Sequence, residues 1–175
     1  DVCRILTKTV DELCHTDIAE HALDALAESR IRQVYLVGRR GPVQAKFTYQ
    51  ELKELTELSA CALETPAEEL ILNPASEAEL AKGNGATRGR VRNYETLKKF
   101  AIESLSTEPR RCILRFLLSP IKLMGDQRLQ QVMFERNRLT GTVDQQAALG
   151  TGEYETIDCG LLLSSIGYHG TPMTG

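Results

Sequence analysis

The spacing of apolar residues along the chain changes between its front and back parts. In the front part, apolar side chains recur at the intervals of amphipathic helices, and the short apolar runs between them predict buried parallel strands. The polar stretch 73–93, which contains "GNGATRGR", predicts a loop or an insertion, partly mobile. The predicted helices cover 1–13, 17–29 (capped by Thr16-Asp17), 48–58 and 93–105, with a further helix start at 65–68, and the predicted strands cover 33–38 and 60–64.

The back part of the chain has a different pattern. Three apolar stretches, "RRCILRFLLSPIKLMG", "RLQQVMFERNRLTG" and "YETIDCGLLLSSIGY", predict strands that are joined by short polar connections. Helices that alternate with strands favour a parallel sheet, and consecutive strands favour an antiparallel one. The predicted fold class is therefore α/β, a Rossmann-like three-layer domain with a parallel sheet plus an antiparallel β segment.

Composition limits the classes of function. The chain has 175 residues, enough for one domain with a core, and its net charge of −3 gives no general attraction to nucleic acid. The aromatic fraction of 5% and the absence of Trp argue against a stacking platform for single-stranded nucleic acid. The sequence has no apolar stretch as long as a membrane span.

The cysteines and histidines do not form a recognisable site. Five cysteines occur without a CxxC pair, so we expect free, mostly buried thiols and predict no metal site. No histidine stands at a useful spacing from a cysteine or a serine, and Ser164-Ser165 lacks the GxSxG motif of hydrolases.

The most informative stretch is "VGRRGP", in which Arg39 and Arg40 follow the predicted strand 33–38. In open α/β sheets, ligands lie beyond the carboxyl ends of the strands, so residues just after a strand face the ligand. Arginine at this place accommodates the 2′-phosphate that distinguishes NADP from NAD. Gly41-Pro42 then turns the chain away. The alternative is a surface arginine pair at the start of a loop.

Motifs along nearly the whole chain support the first interpretation. The segments "DVCRIL", "HTDIAEHAL", "VYLVGRRGPVQAKFTYQELKEL", "LRFLLSPIKL" and "CGLLLSSIGY" occur in the order and at about the spacing found in adrenodoxin reductases. The chain therefore resembles the NADP-binding domain of the NADPH:adrenodoxin (ferredoxin) oxidoreductase family. The resemblance is weak over 73–90 and around 140–150, and no chemistry is assigned to these segments.

The resemblance implies a flavoenzyme in which hydride passes from NADPH to FAD and single electrons then leave to a small iron–sulfur protein. Arg39 and Arg40 match the pair that binds the 2′-phosphate. Glu51 matches a carboxylate that contacts NADP, and Glu54 matches a position near the flavin, so we assign it as catalytic. For both glutamates the alternative is a solvent-exposed helix face. The resemblance also implies the mitochondrial matrix in a eukaryote, and it allows a peripheral membrane contact.

The resemblance also sets expectations about the ends of the chain. In this family the first strand and its glycine-rich loop lie immediately before "DVCRIL", so we expect an NADP-binding domain over 1–168 that lacks both. Residues 169–175 are expected to begin the return to the FAD domain, with Gly167 and Tyr168 at the crossover or in a simple turn. The chain alone is then expected to bind NADP weakly or not at all, and to self-associate through an exposed strand edge.

Two other functions stay open at this point. One is a domain of an NADPH flavoenzyme like the small subunit of glutamate synthase, whose upstream sequence carries iron–sulfur cysteine motifs. The other is a non-catalytic NADP-sensing domain, which the absence of FAD-binding segments from the full gene would favour. A nucleic-acid-binding domain conflicts with the net charge of −3.

Overall fold

The computed structural model describes residues 1–102, 107 and 110–167. Helices and strands alternate in the first two thirds of the chain, and consecutive strands follow. The helices are α1 (Val2–Thr7), α2 (Val10–Leu13), α3 (Glu20–Ala27), α4 (Tyr49–Thr56), α5 (Pro74–Ala81) and α6 (Gly85–Lys99), with 3₁₀ turns at Pro42–Gln44 and Ala67–Leu70. The strands are β1 (Gln33–Val37), β2 (Ala62–Pro66), β3 (Ala101–Ile102), β4 (Arg111–Arg115), β5 (Leu118–Met124), β6 (Gln131–Thr140) and β7 (Ala147–Asp158).

A four-stranded parallel sheet with the order β1-β4-β2-β3 forms the centre of the fold. Strand β4 is almost completely buried, and Cys112 pairs in register with Val34 of β1 on one side and Leu63 of β2 on the other. The three central residues of β4, Cys-Ile-Leu, are apolar, as expected for a strand covered on both faces.

The second sheet is antiparallel, with the order β5-β6-β7. The two sheets and the helices make three layers with two apolar clusters. One cluster joins the parallel sheet to the helices through Leu52, Leu97, Cys112 and Leu114. The other lies under the antiparallel sheet, where Tyr35 of β1 packs against Leu118, Val132, Phe134 and Ile157. The predicted fold class is confirmed.

Several predicted helix boundaries are wrong. The predicted helix 1–13 is two helices, because Thr9 is a cap that accepts a hydrogen bond from the Glu12 N–H and starts α2. Thr16-Asp17 does not cap the next helix, since the Thr16 hydroxyl donates to the Leu13 carbonyl and α3 begins only at Glu20. The predicted start at 65–68 gives a single 3₁₀ turn after Pro66.

The segment 73–93 is also different from the prediction of a loop. Asn73 and Asn84 cap α5 and α6, and each side chain accepts a hydrogen bond from the N–H three residues later. The polar composition concealed α5 and the first half of α6, whose starts depend on these caps. The predicted helix 93–105 corresponds to the second half of α6, which ends at Lys99 before strand β3. Strand β2 begins two residues later than predicted, and β1 is a half-exposed edge strand rather than a buried one, with Leu36 and Val37 each 36% exposed.

Candidate cofactor-binding site

The loop after β1 is held against the segment that joins β4 to β5. The Gly38 N–H donates to the Arg115 carbonyl at 2.9 Å, and the Leu118 N–H donates to the Gly38 carbonyl at 3.1 Å. The Leu117 N–H donates to the Arg40 carbonyl at 3.2 Å. Leu117 has a φ of 58°, a left-handed conformation that a branched side chain rarely adopts. The main chain that carries the arginine pair is therefore fixed by its neighbours at the carboxyl end of the parallel sheet.

The guanidinium groups of Arg39 and Arg40 project from this fixed main chain. Arg39 is exposed and Arg40 is half-buried. Neither guanidinium has a hydrogen-bond or ion-pair partner among residues 1–102, 107 and 110–167. Two uncompensated positive charges at the carboxyl ends of parallel strands fit a dianionic phosphate, because arginine donates several hydrogen bonds in a planar fork.

The turn after the arginines is tightly packed. Gly41, Pro42, Val43 and Gln44 are all buried. A side chain at Gly41 would place its Cβ 3.0 Å from Gln44 Oε1 and 3.1 Å from Leu139 Cδ1, so only glycine fits here without displacement of its neighbours. The Gln44 amide nitrogen donates to Ser76 Oγ at 3.2 Å, which links the turn to α5.

A cleft of about 250 Å³ opens beside this turn. Its walls include Gly41 and Pro42 from the turn, Leu117 from the connection to β5, and Asn137 and Leu139 from β6. The cleft is mainly apolar, and it lies directly next to the arginine pair along the chain.

Glu51 is engaged within its own helix. The Glu51 carboxylate accepts from the Thr48 N–H at 2.6 Å and from the Thr48 hydroxyl at 2.8 Å, and the Glu51 N–H donates back to Thr48 Oγ1. This capping box starts α4. The hydrogen bond from the Thr48 N–H, together with that from its hydroxyl, lowers the pKa of Glu51 below its ordinary value. The carboxylate is therefore ionised at neutral pH.

Glu54 connects two helices. Its carboxylate forms an ion pair with Arg4 of α1 and accepts a long hydrogen bond of 3.4 Å from Gln50. Within the described ranges, no hydrogen bond or ion pair joins Glu51 or Glu54 to Arg39 or Arg40. The structure thus places the two predicted pairs on separate elements, the arginines after β1 and the glutamates on the first turns of α4.

The cysteines are free, as predicted, but only Cys3 and Cys112 are buried, so the prediction of mostly buried thiols is wrong. Cys3, Cys14, Cys61, Cys112 and Cys159 are free thiols, and of these Cys14 is exposed. The Cys3 and Cys112 sulfurs lie 2.9 Å apart in the core, and burial raises the pKa of the Cys61 thiol to about 11. The described part of the chain contains no cluster of His, Cys, Asp or Glu suited to a metal ion. None of its helices is long and apolar enough to cross a membrane.

The proposed crossover at the end of the chain is only partly described. Residues 161–167 are exposed, and Gly167 has a φ of 100°. Tyr168 and residues 169–175 lie outside the described residues, so the expectations about them stay expectations.

Sequence reasoning missed the residues that support the arginine loop. These are Gln44, Ser76, Asn137 and Gln146, all buried polar side chains. Asn137 gives no local signal, because it stands in the polar run 135–138. The partners of these side chains lie far away in the sequence, and no local pattern identifies them.

Comparisons with known proteins agree with the motifs. No family model matches the chain. The NADPH-ferredoxin reductase FprA of Mycobacterium tuberculosis is 36% identical over 178 residues, which cover 100% of this chain and 38% of that protein. The mitochondrial NADPH:adrenodoxin oxidoreductases of Arabidopsis thaliana and Salvelinus fontinalis are 39% and 40% identical, over 100% and 99% of this chain and 37% and 36% of those proteins.

The comparison with solved structures finds similarity to the same reductases. The structure of Mycobacterium tuberculosis FprA in complex with NADPH superposes with a TM-score of 0.85 at 36% identity, over 98% of this chain and 37% of that one. These relatives are oxidoreductases by name, one of their structures holds NADPH, and several are named mitochondrial. The chain spans less than two fifths of their length. Over its whole length, the chain is thus a homologue of one part of the NADPH-ferredoxin and NADPH:adrenodoxin oxidoreductases, as its motifs predicted.

Proposed function

We propose that the chain is the NADP-binding domain of an FAD-dependent NADPH:ferredoxin or adrenodoxin reductase. The observation that carries the proposal is the pair of unpartnered guanidinium groups at the carboxyl end of β1. It is supported by the homology of the whole chain to reductases that use NADPH. The domain covers residues 1–168, and 169–175 lead back towards the FAD domain.

The residues present fit NADP. Arg39 and Arg40 hold the 2′-phosphate, because they place two guanidinium groups without partners among the described residues at the carboxyl end of the parallel sheet, where ligands bind. Glu51 contacts the bound nucleotide from the start of α4, with its carboxylate already ionised. Glu54 stands one helical turn later on the same helix and serves the flavin side of the site as the catalytic residue.

The hydride chemistry belongs to the bound groups: NADPH supplies a hydride, and FAD in the full-length protein accepts it and releases single electrons. The part of this chain is to choose the cofactor, orient it and keep water away from it. The Gly41-Pro42 turn contributes to the orientation, since it packs tightly behind the arginines, and a side chain at Gly41 would have to displace Gln44 or Leu139.

The electron acceptor is a small iron–sulfur protein of the adrenodoxin or ferredoxin type. Helix α6 favours an acidic partner, because it carries three exposed basic residues along one face, Arg88, Arg92 and Lys99. None of these three forms an ion pair with another described residue. In a eukaryote, we place the protein in the mitochondrial matrix.

The first prediction tests the arginine pair in the full-length protein. Replacement of Arg39 and Arg40 by Ala should lower kcat/KM for flavin reduction by NADPH by about a hundredfold, because each guanidinium contributes charge-assisted hydrogen bonds to the phosphate. The value for NADH, which lacks that phosphate, should change little. Steady-state and stopped-flow kinetics with both donors measure the ratio.

The control uses two exposed arginines at the opposite, amino end of the same strand, Arg30→Ala with Arg32→Ala. This double variant should keep the preference for NADPH. If the Arg39 and Arg40 variant loses both donors equally, the pair supports the fold and the proposed role is wrong. If the full-length protein binds no FAD, an NADP-sensing domain replaces the reductase as its function.

A further inference from the structure

One carbonyl of the arginine loop accepts its hydrogen bond from a side chain, whereas its two neighbours accept from main-chain N–H groups. Three consecutive carbonyls in the loop, those of Gly38, Arg39 and Arg40, each accept one hydrogen bond. The first and third accept from the main-chain N–H groups of Leu118 and Leu117, which almost any sequence provides. The middle carbonyl, that of Arg39, accepts from the side chain of Asn137 at 2.9 Å.

Asn137 is built into its position. It is buried at 8% exposure, its own N–H donates to the Leu117 carbonyl at 2.7 Å, and its amide nitrogen also donates to Ser119 Oγ at 2.8 Å. The pairing of β6 with β7 shifts register between Glu135 and Asn137. Such irregularities redirect side chains, and here the neighbour Arg138 is exposed while Asn137 faces inward. The carbonyl of Arg39 has no hydrogen to give, so the amide nitrogen must face it.

The orientation of the Arg39 carbonyl affects the side-chain directions of both arginines. It belongs to the peptide plane between Arg39 and Arg40, and this plane is rigid. Its orientation therefore sets ψ of Arg39 and φ of Arg40, and with them the directions in which the two side chains leave the main chain. Among the described residues, the Arg39 carbonyl has no other hydrogen-bond donor.

We propose that Asn137 is a positioning residue that fixes the peptide between Arg39 and Arg40 and thereby sets the preference for a nucleotide with a 2′-phosphate. The inference rests on the proposed function, in which the two arginines bind that phosphate. In this inference, Asn137 acts through the Arg39 carbonyl and not through a contact of its own with the nucleotide. It acts from the antiparallel sheet, across 98 residues of sequence, on a loop of the parallel sheet.

The test compares Asn137→Ala with Arg39→Ala, with the Arg39→Ala, Arg40→Ala double variant and with the triple variant in the full-length protein. Asn137→Ala should raise KM for NADPH by about tenfold with kcat nearly unchanged, because misplacement of a binding group weakens its contacts without altering the chemistry. KM for NADH should stay nearly constant. In the background of the Arg39→Ala, Arg40→Ala double variant, Asn137→Ala should have no further effect on the NADPH/NADH ratio, because Asn137 acts on that ratio only through these two arginines.

Asn93→Ala is the matched control. Asn93 is also a buried asparagine whose amide donates to a main-chain carbonyl, that of Phe47, at 3.0 Å. Its loss should lower the melting temperature and leave the NADPH/NADH ratio of kcat/KM unchanged. If Asn137→Ala does not yield folded protein with bound FAD, Asn137→Asp keeps the size of the side chain and a bond to Ser119, and it should also lose preference for NADPH.

The outcomes separate this inference from the proposed function. If Arg39→Ala leaves the donor ratio unchanged, the proposed role of the arginine is wrong. If Arg39→Ala lowers the ratio but the Asn137 variants change both donors equally, as in the Asn93 control, Asn137 is only structural. If Asn137→Ala lowers the ratio further in the variant that lacks both Arg39 and Arg40, Asn137 acts independently of the arginines, and the inference is wrong.

Discussion

At the scale of single residues, Glu51 caps a helix and is also proposed to contact NADP. Its carboxylate caps α4 through Thr48, and the same carboxylate is proposed to contact NADP. The two roles are compatible, because a carboxylate oxygen has more than one lone pair and Glu51 is exposed. In the structure one oxygen, Oε2, takes both bonds from Thr48, which leaves Oε1 available.

The pH dependence of stability tests the capping role of Glu51. Its pKa in the folded protein lies below the ordinary value of 4.5, so its contribution to stability is present above pH 4.5 and is lost as the pH falls through the folded pKa. Glu51→Gln has no charge to titrate. The melting temperature of the full-length variant should therefore lie further below that of the unchanged protein at pH 7 than at pH 3.

Glu68→Gln provides the control for this measurement. Glu68 is an exposed carboxylate near the start of a 3₁₀ turn, and its side chain forms no hydrogen bond with another described residue. Its variant should follow the unchanged protein at both pH values. A difference for Glu51→Gln that is the same at pH 3 and pH 7 would show that the loss comes from shape or propensity rather than from the charge.

At the scale of elements, α5 and α6 hold the turn behind the arginine pair. Glu79 of α5 is buried at 2% exposure, forms an ion pair with Arg90 of α6 and accepts from the Gln44 amide at 3.4 Å. Ser76 accepts hydrogen bonds from Gln44 and from Gln146, which precedes β7. The segment with the weakest family resemblance is therefore the one that packs against the best-matched motif.

The ion pair between these helices gives the next prediction. Arg90→Ala leaves the buried Glu79 carboxylate without its charged partner, and the full-length protein should lose about 2 kcal/mol of stability to unfolding. Lys98→Ala on the same helix breaks a pair with Glu95 in which both side chains are exposed, and it should have little effect. Thermal and denaturant unfolding measure both. Equal losses would mean that Glu79 is rehydrated or protonated when Arg90 is removed.

Elements differ in how far their sequence predicts them. The strand and loop of the arginine pair could be predicted because the apolar run, the two arginines and the Gly-Pro turn all lie within ten consecutive residues. The capping box at Thr48 is equally local. Helix α5 and the first half of α6 were missed because the two helix starts depend on single asparagine caps within a polar segment. Asn137 was missed because its partner lies 98 residues away, and only the assembled fold brings them together.

At the scale of the whole molecule, a chain of charges connects the two sheets near the site. Glu69 accepts from the Phe116 N–H at 2.6 Å and from Arg115 at 2.7 Å, and Arg115 also pairs with Glu155 of β7 at 2.7 Å. Glu155 pairs in turn with Arg136 of β6. Burial raises the pKa of Glu69 despite these partners. These ion pairs thus connect the carboxyl end of β4 to the antiparallel sheet, which helps to fix the position of Asn137 relative to the arginine loop.

The exposed edge of the parallel sheet gives the last prediction. Within the described part of the chain, β1 pairs only with β4, and its apolar residues Leu36 and Val37 are partly exposed. An unpaired, apolar strand edge is a template for pairing with a second copy. The 175-residue chain alone should therefore associate with increasing concentration, as light scattering coupled to size exclusion would show.

A charge on the edge should reverse this association. Val37→Lys places an ammonium group on β1, and a second copy could pair there only by burying it, so the variant should elute as a monomer. Ile71→Lys is the control, because Ile71 is 76% exposed but lies on the segment between the second 3₁₀ turn and α5. It removes exposed apolar surface without touching the edge and should associate like the unchanged chain. If both variants become monomeric, association depends on general apolar contact and not on strand pairing. If the unchanged chain is monomeric, the prediction is wrong.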